Sequence, residues 1–419
     1  MMTERLVLER PRMKSLLNIL LRRFISVGSL GVVFADGSSA LFKGAQAGPH
    51  AALRFTSAEA EKRLLLNPGL GFGEAYMDGG LQPDGCTLYD LLNVMMINAM
   101  KPGGHIGEAI SATARYARRS WIQFNPESRS RKNVAHHYDL DTRLYDLFLD
   151  KDRQYSCAYF RTGKETLDEA QEAKKRHIAS KLLLDRPGLE VLDIGCGWGG
   201  MALTLARDYG AMVTGVTLSV EQLKIARERA QEAGLSHQVR FELLDYRHVQ
   251  TRYDRIVSVG MFEHVGIAHY EAFFRKVREC LKDDGVALLH SIGRSDEPGT
   301  TNPWIDKYIF PGGYSPSLSE TFAAIERTGL WVTDCEILRL HYAKTIAIWR
   351  QRFAEQREKA RELYDERFCR MFEFYLAGAE LSFEVQGHMN FQIQLTRNIR
   401  AVPLTRDYMF EAEGSLPGK

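Results

Sequence analysis

The feature that most constrains this chain is a short apolar run that leads directly into four glycines: residues 191–200 read VLDIGCGWGG. Glycine lets the backbone adopt positive φ and approach a ligand closely, so a strand, a tight turn and a helix are predicted in succession. An acidic residue, Asp193, lies inside the predicted strand. Such a segment predicts a ligand site at the carboxyl edge of a sheet.

Strand and helix patterns alternate through the residues around and after this segment. Strands are predicted at 191–194, 212–218, 240–244, 255–259 and 286–290, and helices at 201–209, 221–233 and 270–281. Such alternation specifies a parallel sheet with helices on both faces. The predicted fold class is therefore α/β with a Rossmann-like sheet.

The rest of the chain predicts a division into domains. Strand-like stretches at 30–34 and 51–55, followed by helical patterns, predict a small N-terminal α+β domain over residues 1–112. The basic, serine-containing stretch 113–134 is interpreted as a linker, whose arginines are either solvated or in contact with phospholipid headgroups. Residues 135–419 are predicted to form the α/β domain.

Composition and charge exclude several classes of protein. The chain carries 55 Lys+Arg against 53 Asp+Glu, so no nucleic-acid partner is indicated and attraction to an anionic surface must be local. Six cysteines without a C-x-x-C pair indicate a reducing, cytoplasmic setting and no metal site. The apolar residues 16–21 precede Arg22 and Arg23 and predict a helix rather than an export signal. No apolar run approaches the roughly 20 residues of a membrane span, so any membrane contact is expected to be peripheral.

The glycine spacing distinguishes this segment from a dinucleotide site. Dinucleotide-binding folds use G-x-G-x-x-G and place an acid at the end of the next strand, whereas this chain has G-x-G-x-G and ends the next predicted strand in Thr217-Leu218-Ser219. The pattern resembles motif I of the class I methyltransferases, which implies S-adenosylmethionine as co-substrate. By that resemblance, the residues expected to face it are Asp193, Gly195, Gly197, Thr217, Leu218, Gln222, Tyr246 and Arg247.

Five further motifs narrow the resemblance to one family. In chain order they are HYD at 137–139, QYSCAYF at 154–160, MFEHVG at 261–266, LHSIG at 289–293 and FPGG at 310–313. From about residue 135 onward the chain resembles the cyclopropane-fatty-acyl-phospholipid synthase and mycolic acid cyclopropane synthase family. GFGEAYMDG at 71–79 is similar to a segment of its long bacterial form. The resemblance implies that Tyr155 and Ser156 close over S-adenosylmethionine.

The same resemblance implies a bicarbonate ion held by Cys157, Glu263, His290, the backbone of Ile292 and Tyr342. Attack of an alkene on a sulfonium methyl leaves a carbocation-like centre, and ring closure requires a proton to leave the transferred methyl. A small anion suits this reaction because it can act as base and partly neutralise the cation. Glu263 and His290 are expected to orient the anion and relay the proton.

The implied activity is transfer of a methylene from S-adenosylmethionine to the cis double bond of unsaturated phospholipid acyl chains. By the same resemblance the enzyme is a homodimer, peripheral at the cytoplasmic face of the membrane. Three alternatives remain open: a lipid C-methyltransferase giving methyl-branched or methylene chains, a small-molecule N-methyltransferase, and a catalytically inactive lipid-binding protein.

Individual site residues also have structural alternatives. Cys157 is otherwise a buried apolar thiol, Glu263 a helix cap and His290 a core histidine. Four aromatic residues are interpreted either as an acyl channel or as hydrophobic packing: Trp304, Tyr308, Phe310 and Tyr314. Residues 375–379 read YLAGA and lack a cysteine that many members of the family carry there, which leaves a variant product open.

Overall fold

A computed structural model describes residues 4–99 and 141–415 of the chain. The predicted linker at 113–134 and the HYD motif at 137–139 lie outside the described residues. The chain separates into two compact units, each discontinuous in sequence. The first contains Met1–Arg118, Thr300–Ile309 and Ile346–Gly387, and the second contains Arg119–Gly299, Phe310–Thr345 and His388–Lys419. Within the two described stretches, no helix combines the length and apolarity needed to cross a bilayer.

The described residues form strands β1 to β11 and helices α1 to α15. The strands are β1 (Val27–Val33), β2 (Ser39–Lys43), β3 (Gln46–Phe55), β4 (Leu81–Pro83), β5 (Glu190–Ile194), β6 (Met212–Thr217), β7 (Val239–Leu243), β8 (Tyr253–Val259), β9 (Leu281–Arg294), β10 (Trp331–Ile337) and β11 (His388–Thr396). The first eight helices are α1 (Glu4–Phe24), α2 (Ala58–Leu66), α3 (Pro68–Met77), α4 (Leu88–Ala99), α5 (Thr142–Asp146), α6 (Leu167–Lys181), α7 (Gly200–Tyr209) and α8 (Val220–Glu232). The others are α9 (Tyr270–Cys280), α10 (Pro303–Tyr308), α11 (Leu318–Glu326), α12 (His341–Glu355), α13 (Arg357–Leu363), α14 (Glu366–Glu384) and α15 (Asp407–Ser415).

The first unit is built on a four-stranded sheet of order β2-β1-β3-β4. β1 pairs antiparallel with β2 and parallel with β3. Alternate residues of β1 and β3 are buried, among them Leu30, Val32, Ala51 and Leu53, as expected when one face of a sheet covers a core. The α+β character predicted for the N-terminal residues is confirmed.

The late part of the chain contributes to this first unit, whereas the sequence patterns predict one domain over 135–419. Thr300–Ile309 and Ile346–Gly387 cluster with the N-terminal residues. The reason is α14, whose Ala377 and Leu381 are buried in the same hydrophobic core as the small sheet. The apolar stripe of a helix is visible in a sequence, but the elements against which it packs, here α3 and α4, are not.

The four aromatic residues considered for an acyl channel divide between the two units. Trp304 and Tyr308 belong to the first, where their ring centroids lie 5.6 Å apart. Phe310 and Tyr314 belong to the second, where the Tyr314 hydroxyl donates to Glu320 at 2.8 Å. Trp304 and Tyr314 are buried, which agrees with hydrophobic packing, and the acyl channel stays a prediction.

The second unit contains a seven-stranded sheet of order β10-β11-β9-β8-β5-β6-β7. β5 pairs parallel with β6 and β8, and β9 pairs parallel with β8 but antiparallel with β11. One hydrophobic core packs α7 and α8 against the sheet, and another packs α9 and α11 against it. The predicted α/β sheet with helices on both faces is confirmed.

Strands β10 and β11 are not predicted from the sequence. β11 reads HMNFQIQLT, and its apolar residues enter the core while the intervening polar residues are also buried. The alternation is a strand signal. It does not show that both faces of the strand are covered, which is a property of the tertiary structure.

Candidate active site

A cavity lies at the carboxyl ends of the parallel strands of the second unit. Its empty volume is about 1190 Å³, counting the part open to solvent. All ten residues expected to face S-adenosylmethionine line it: Tyr155, Ser156, Asp193, Gly195, Gly197, Thr217, Leu218, Gln222, Tyr246 and Arg247. Most of them follow a strand, and the carboxyl ends of adjacent parallel strands meet at one edge of the sheet.

The loop between β5 and α7 requires glycine for conformation and for space. Gly195 has φ 80° and Gly197 has φ 54°, which are left-handed values that other residues rarely adopt. A Cβ at Gly195 would lie 2.8 Å from the Cβ of Met261. Glycine at these positions therefore allows the loop to adopt the conformation that forms the cavity wall.

Asp193 supplies a buried carboxyl group at the end of β5. Its Oδ2 has no hydrogen-bond partner among the described residues, and burial raises its pKa to about 7. A buried polar atom of this kind calls for a donor from a ligand. The ammonium group of S-adenosylmethionine is such a donor, so the site fits the co-substrate that the motif implies.

The wall between β6 and α8 is fixed by local hydrogen bonds. The Thr217 hydroxyl donates to Gln222 Oε1 at 3.0 Å. Ser219 caps α8 by accepting a hydrogen bond from the Gln222 backbone N–H at 3.2 Å. These bonds hold both cavity residues in place without a ligand.

The next part of the wall follows β7, the strand that pairs with β6. Tyr246 packs edge-on against Phe273, with ring centroids 5.4 Å apart. Arg247 forms two hydrogen bonds with Asp245, at 2.8 and 2.7 Å. Although burial opposes the shift, these bonds lower the pKa of Asp245. The paired charges order this part of the cavity.

Helix α6 supports the segment that contains Tyr155 and Ser156 through hydrogen bonds. Lys174 Nζ donates to Gln154 Oε1 at 2.6 Å and to Ser156 Oγ at 2.8 Å. Lys174 is fully buried, and burial lowers its pKa to about 8. No sequence motif marks this lysine, because its role depends on the helix packing beside the segment.

Lys174→Met is expected to weaken S-adenosylmethionine binding by about tenfold, because two hydrogen bonds to a charged group disappear and the 154–156 segment loses its support. Isothermal titration calorimetry with S-adenosylmethionine measures the effect. Lys224→Met, at an exposed position of α8, is the matched control. Equal affinities of the two variants would contradict this role for Lys174.

Glu263 and Ile292 lie together in the second unit, outside the residues that line the cavity. Glu263 follows β8 in the short helix Phe262–His264, and its Oε1 accepts a hydrogen bond from the Ile292 N–H at 2.6 Å. Its Oε2 has no partner in the described part of the chain. Burial raises the pKa of Glu263 to about 7. The backbone of Ile292, expected to face an anion, thus orients this carboxyl group.

His290, Cys157 and Tyr342 are also buried. His290 Nδ1 lies 3.0 Å from Gln392 Nε2, and burial with the neighbouring positive charges lowers the pKa of its ring well below the usual value. Burial raises the pKa of the Cys157 thiol, which keeps it neutral. The next residue, Ala158, donates its N–H to Thr345 in α12, the helix that also carries Tyr342.

The cavity includes residues that the sequence patterns do not single out as contacts. They include Gln154, Cys196, Trp198, Asp245, Met261 and His264. Each lies within or beside a recognised motif, so these residues could have been predicted from their position next to the motif residues. Burial lowers the pKa of His264 to about 4, so its ring contributes no charge at neutral pH.

Known proteins similar to this chain point to one family. Residues 125–393 match the mycolic acid cyclopropane synthetase family. A probable fatty acid methyltransferase of Pseudomonas putida is 41% identical over 68% of this chain and 76% of its own length. The cyclopropane-fatty-acyl-phospholipid synthase of Escherichia coli K12 is 38% identical over 83% of this chain and 88% of its own. Tuberculostearic acid methyltransferase UfaA1 of Mycobacterium tuberculosis is 36% identical over 87% of this chain and 87% of its own length.

Solved structures show the same fold. Mycolic acid cyclopropane synthase CmaA1, complexed with SAH and CTAB, is 32% identical with a TM-score of 0.61, covering 65% of this chain and 99% of that one. Coclaurine N-methyltransferase, at 23% identity and a TM-score of 0.61 over 77% of this chain and 98% of its own, shows the fold alone. The predicted class I methyltransferase fold is confirmed.

Proposed function

Because this chain belongs to the mycolic acid cyclopropane synthetase family and is an S-adenosylmethionine-dependent methyltransferase, we propose that it makes cyclopropane rings in lipids. It transfers a methylene from S-adenosylmethionine to the cis double bond of unsaturated phospholipid acyl chains. The observation that carries the proposal is the buried Glu263 carboxyl group, oriented by Ile292 and left with one unpaired oxygen. Ring closure needs a proton acceptor inside a site from which water is excluded.

The residues present fit the bicarbonate ion that the resemblance implies. Glu263 Oε2 can accept a hydrogen bond from the bicarbonate hydroxyl, since it has no partner within the described residues. Tyr342, His290 and the Cys157 backbone are the groups proposed to donate to the anion. When bound, bicarbonate would supply the base that removes a proton from the transferred methyl group.

Protein side chains are proposed to take up the proton and to hold the co-substrate. Glu263, with its pKa raised to about 7, is proposed to take up the released proton. Asp193 holds the amino-acid end of S-adenosylmethionine by charge, and the 154–156 segment covers it. Burial of Cys157 keeps its thiol neutral, so the proposal gives that sulfur no nucleophilic role.

Mass spectrometry of lipid acyl chains tests the proposed reaction. Purified protein is incubated with S-adenosylmethionine and vesicles that contain monounsaturated phospholipids. A gain of CH₂ with a ring identified by fragmentation is the expected result. Unchanged lipid in the presence of bound S-adenosylmethionine would overturn the proposal, and methylation of a soluble amine would then favour the small-molecule alternative.

A second product is supported by the names of two relatives, a probable fatty acid methyltransferase and a tuberculostearic acid methyltransferase. Such an enzyme uses the same co-substrate and the same carbocation-like centre but loses a proton without closing a ring, which leaves a methylene chain; a saturated methyl-branched chain requires in addition a hydride from a separate reductant. A mass gain of CH₂ with a double bond retained would favour a methylene product. The same spectra therefore distinguish this product from a cyclopropane.

Bicarbonate dependence is a separate expectation. Turnover is expected to fall several-fold in buffer purged of carbon dioxide and to recover when bicarbonate is added, because a base is lost and restored. Affinity for S-adenosylmethionine, measured in parallel, should stay constant. Turnover that is indifferent to bicarbonate would remove the anion from the proposed site.

The proposal also includes a homodimer at the cytoplasmic surface of the membrane. Membrane binding is supported by the phospholipid in the name of the Escherichia coli relative, whereas the dimer rests on the resemblance to the long bacterial form of the family. Light scattering after size-exclusion chromatography measures the mass of the assembly, and flotation with phospholipid vesicles measures membrane binding. A monomer that stays at the bottom of the gradient would contradict both parts.

A further inference from the structure

One face of β11 is polar although it is buried. Asn390, Gln392 and Gln394 alternate along the strand and are each at most 1% exposed. Gln392 pairs directly with His290 of the antiparallel neighbour β9. In such a pair both side chains lie on the same face of the sheet. The buried amide of Gln392 is therefore placed to bond the ring of His290.

A buried lysine of α6 determines which way the Gln392 amide points. Lys181 Nζ lies 2.8 Å from Gln392 Oε1, and Gln392 Nε2 lies 3.0 Å from His290 Nδ1. Lys181 is 1% exposed, and its ammonium group also bonds to the carboxylate of Glu336. An ammonium has only donors, so the oxygen of the amide must face Lys181.

The orientation of the amide fixes the tautomer of the histidine. Since the Gln392 NH₂ group is a donor, His290 Nδ1 must accept, and a neutral imidazole then carries its proton on Nε2. Rotating the amide would oppose donors across the 2.8 Å contact with Lys181. Burial and the charges of Lys174, Lys181 and His177 lower the pKa of the ring, which favours the neutral form.

The other ring nitrogen, Nε2, faces Asn390. It lies 3.5 Å from the Asn390 amide nitrogen, at the outer limit of a hydrogen bond. A protonated Nε2 and this NH₂ group are both donors, so the tautomer requires the amide to turn its Oδ1, which has no hydrogen-bond partner among the described residues, toward the ring. The hydrogen-bond contact at Nδ1 is therefore short, whereas the contact at Nε2 is long and weak.

We propose that Lys181 and Gln392 are positioning residues that hold His290 as the neutral tautomer with its proton on Nε2, so that the ring donates a hydrogen bond to the active-site anion. The catalytic part of this inference rests on the proposed function of His290. In this arrangement His290 stabilises the anion and leaves uptake of the proton to Glu263. Nothing in the motif around His290 indicates this division, because Lys181 and Gln392 lie on other elements.

Nuclear magnetic resonance of the enzyme alone tests the tautomer. In protein labelled with ¹⁵N-histidine, two-bond ¹H–¹⁵N correlations separate a protonated ring nitrogen from an unprotonated one, and His290→Asn identifies the His290 signals. The expected result is an unprotonated Nδ1 and a protonated Nε2. A protonated Nδ1 in the wild-type protein would overturn the proposal whether or not the lipid reaction is the proposed one.

Gln392→Glu is the variant that reverses the arrangement. A carboxylate accepts from Lys181 and from the ring, so Nδ1 of His290 should become protonated. Turnover of lipid is then expected to fall by about tenfold, the scale of one hydrogen bond to a charged group, with the KM for S-adenosylmethionine unchanged. A ring protonated at Nδ1 and not at Nε2, together with undiminished turnover, would overturn the positioning role.

Two further variants guard against a folding failure. Gln392→Met removes the amide that selects the tautomer, so His290 should show partial protonation at Nδ1. Thr396→Val removes an equally buried polar group from the same face of β11, one without a hydrogen-bond partner among the described residues, and should leave the His290 signals unchanged. Equal His290 signals in both variants and in the wild type would contradict the role of Gln392.

Discussion

Glu263→Gln is expected to lower turnover by roughly 100-fold or more while leaving S-adenosylmethionine binding within a few-fold, the scale of a positioned acid–base group. The amide oxygen of glutamine can still accept the hydrogen bond that Ile292 donates to Glu263 at 2.6 Å. The capacity to take up a proton is lost, and an NH₂ group replaces the Oε2 atom that is proposed to accept from the bicarbonate hydroxyl. Single-turnover kinetics with lipid vesicles, and calorimetry with S-adenosylmethionine, measure the two quantities.

The pH dependence adds an independent check on Glu263. Burial raises its pKa to about 7, so the proton-accepting carboxylate form is lost below that pH. Turnover at saturating S-adenosylmethionine and constant bicarbonate should rise as pH increases through 7, and the glutamine variant should lack this rise. Glu279→Gln, at an exposed position of α9, is the control. Undiminished turnover in Glu263→Gln would remove Glu263 from the mechanism.

Asp193→Asn is expected to weaken S-adenosylmethionine binding by about 100-fold, because it removes the negative charge that is proposed to face the ammonium group of the co-substrate in a buried site. The Oδ2 atom of Asp193 has no other partner in the described residues, so no protein contact compensates. Calorimetry measures the affinity. Asp208→Asn, at an exposed position of α7, is the control, and equal affinities would contradict this role.

The same substitution is expected to stabilise the ligand-free protein at high pH. The pKa of Asp193 is about 7 in the folded chain and about 3.9 in an unfolded one. Its contribution to the free energy of unfolding is therefore fully present below pH 4 and lost as pH rises through 7. In urea denaturation without ligand, Asp193→Asn should have a larger free energy of unfolding than the wild type at pH 8. This difference should shrink toward pH 5. A difference in the free energy of unfolding that does not change with pH would contradict the raised pKa of Asp193.

Only part of the proposed chemistry could be predicted from the sequence. Glu263 and His290 lie in short motifs, and the structure brings Glu263 directly to the backbone of Ile292. Lys174, Lys181 and Gln392 carry no motif, and each becomes relevant through a partner far along the chain. Lys181, for example, bonds to Gln392, which is 211 positions away. A lone lysine or glutamine in a sequence is ordinarily a solvated residue.

Sequence patterns alone predict the α/β sheet and the residues that line its cavity. Parallel strands gather their carboxyl ends at one edge, so residues after Asp193, Thr217 and Leu243 had to line a common cavity once the strands paired. Local patterns suffice for this because each strand carries its own cavity residues. The tertiary structure alone decided the composition of the two units, because α14 packs against helices α3 and α4 of the first unit and shares their hydrophobic core. It also decided how His290 is held, because burial and the position of Lys181 fix an amide that the sequence leaves free to turn.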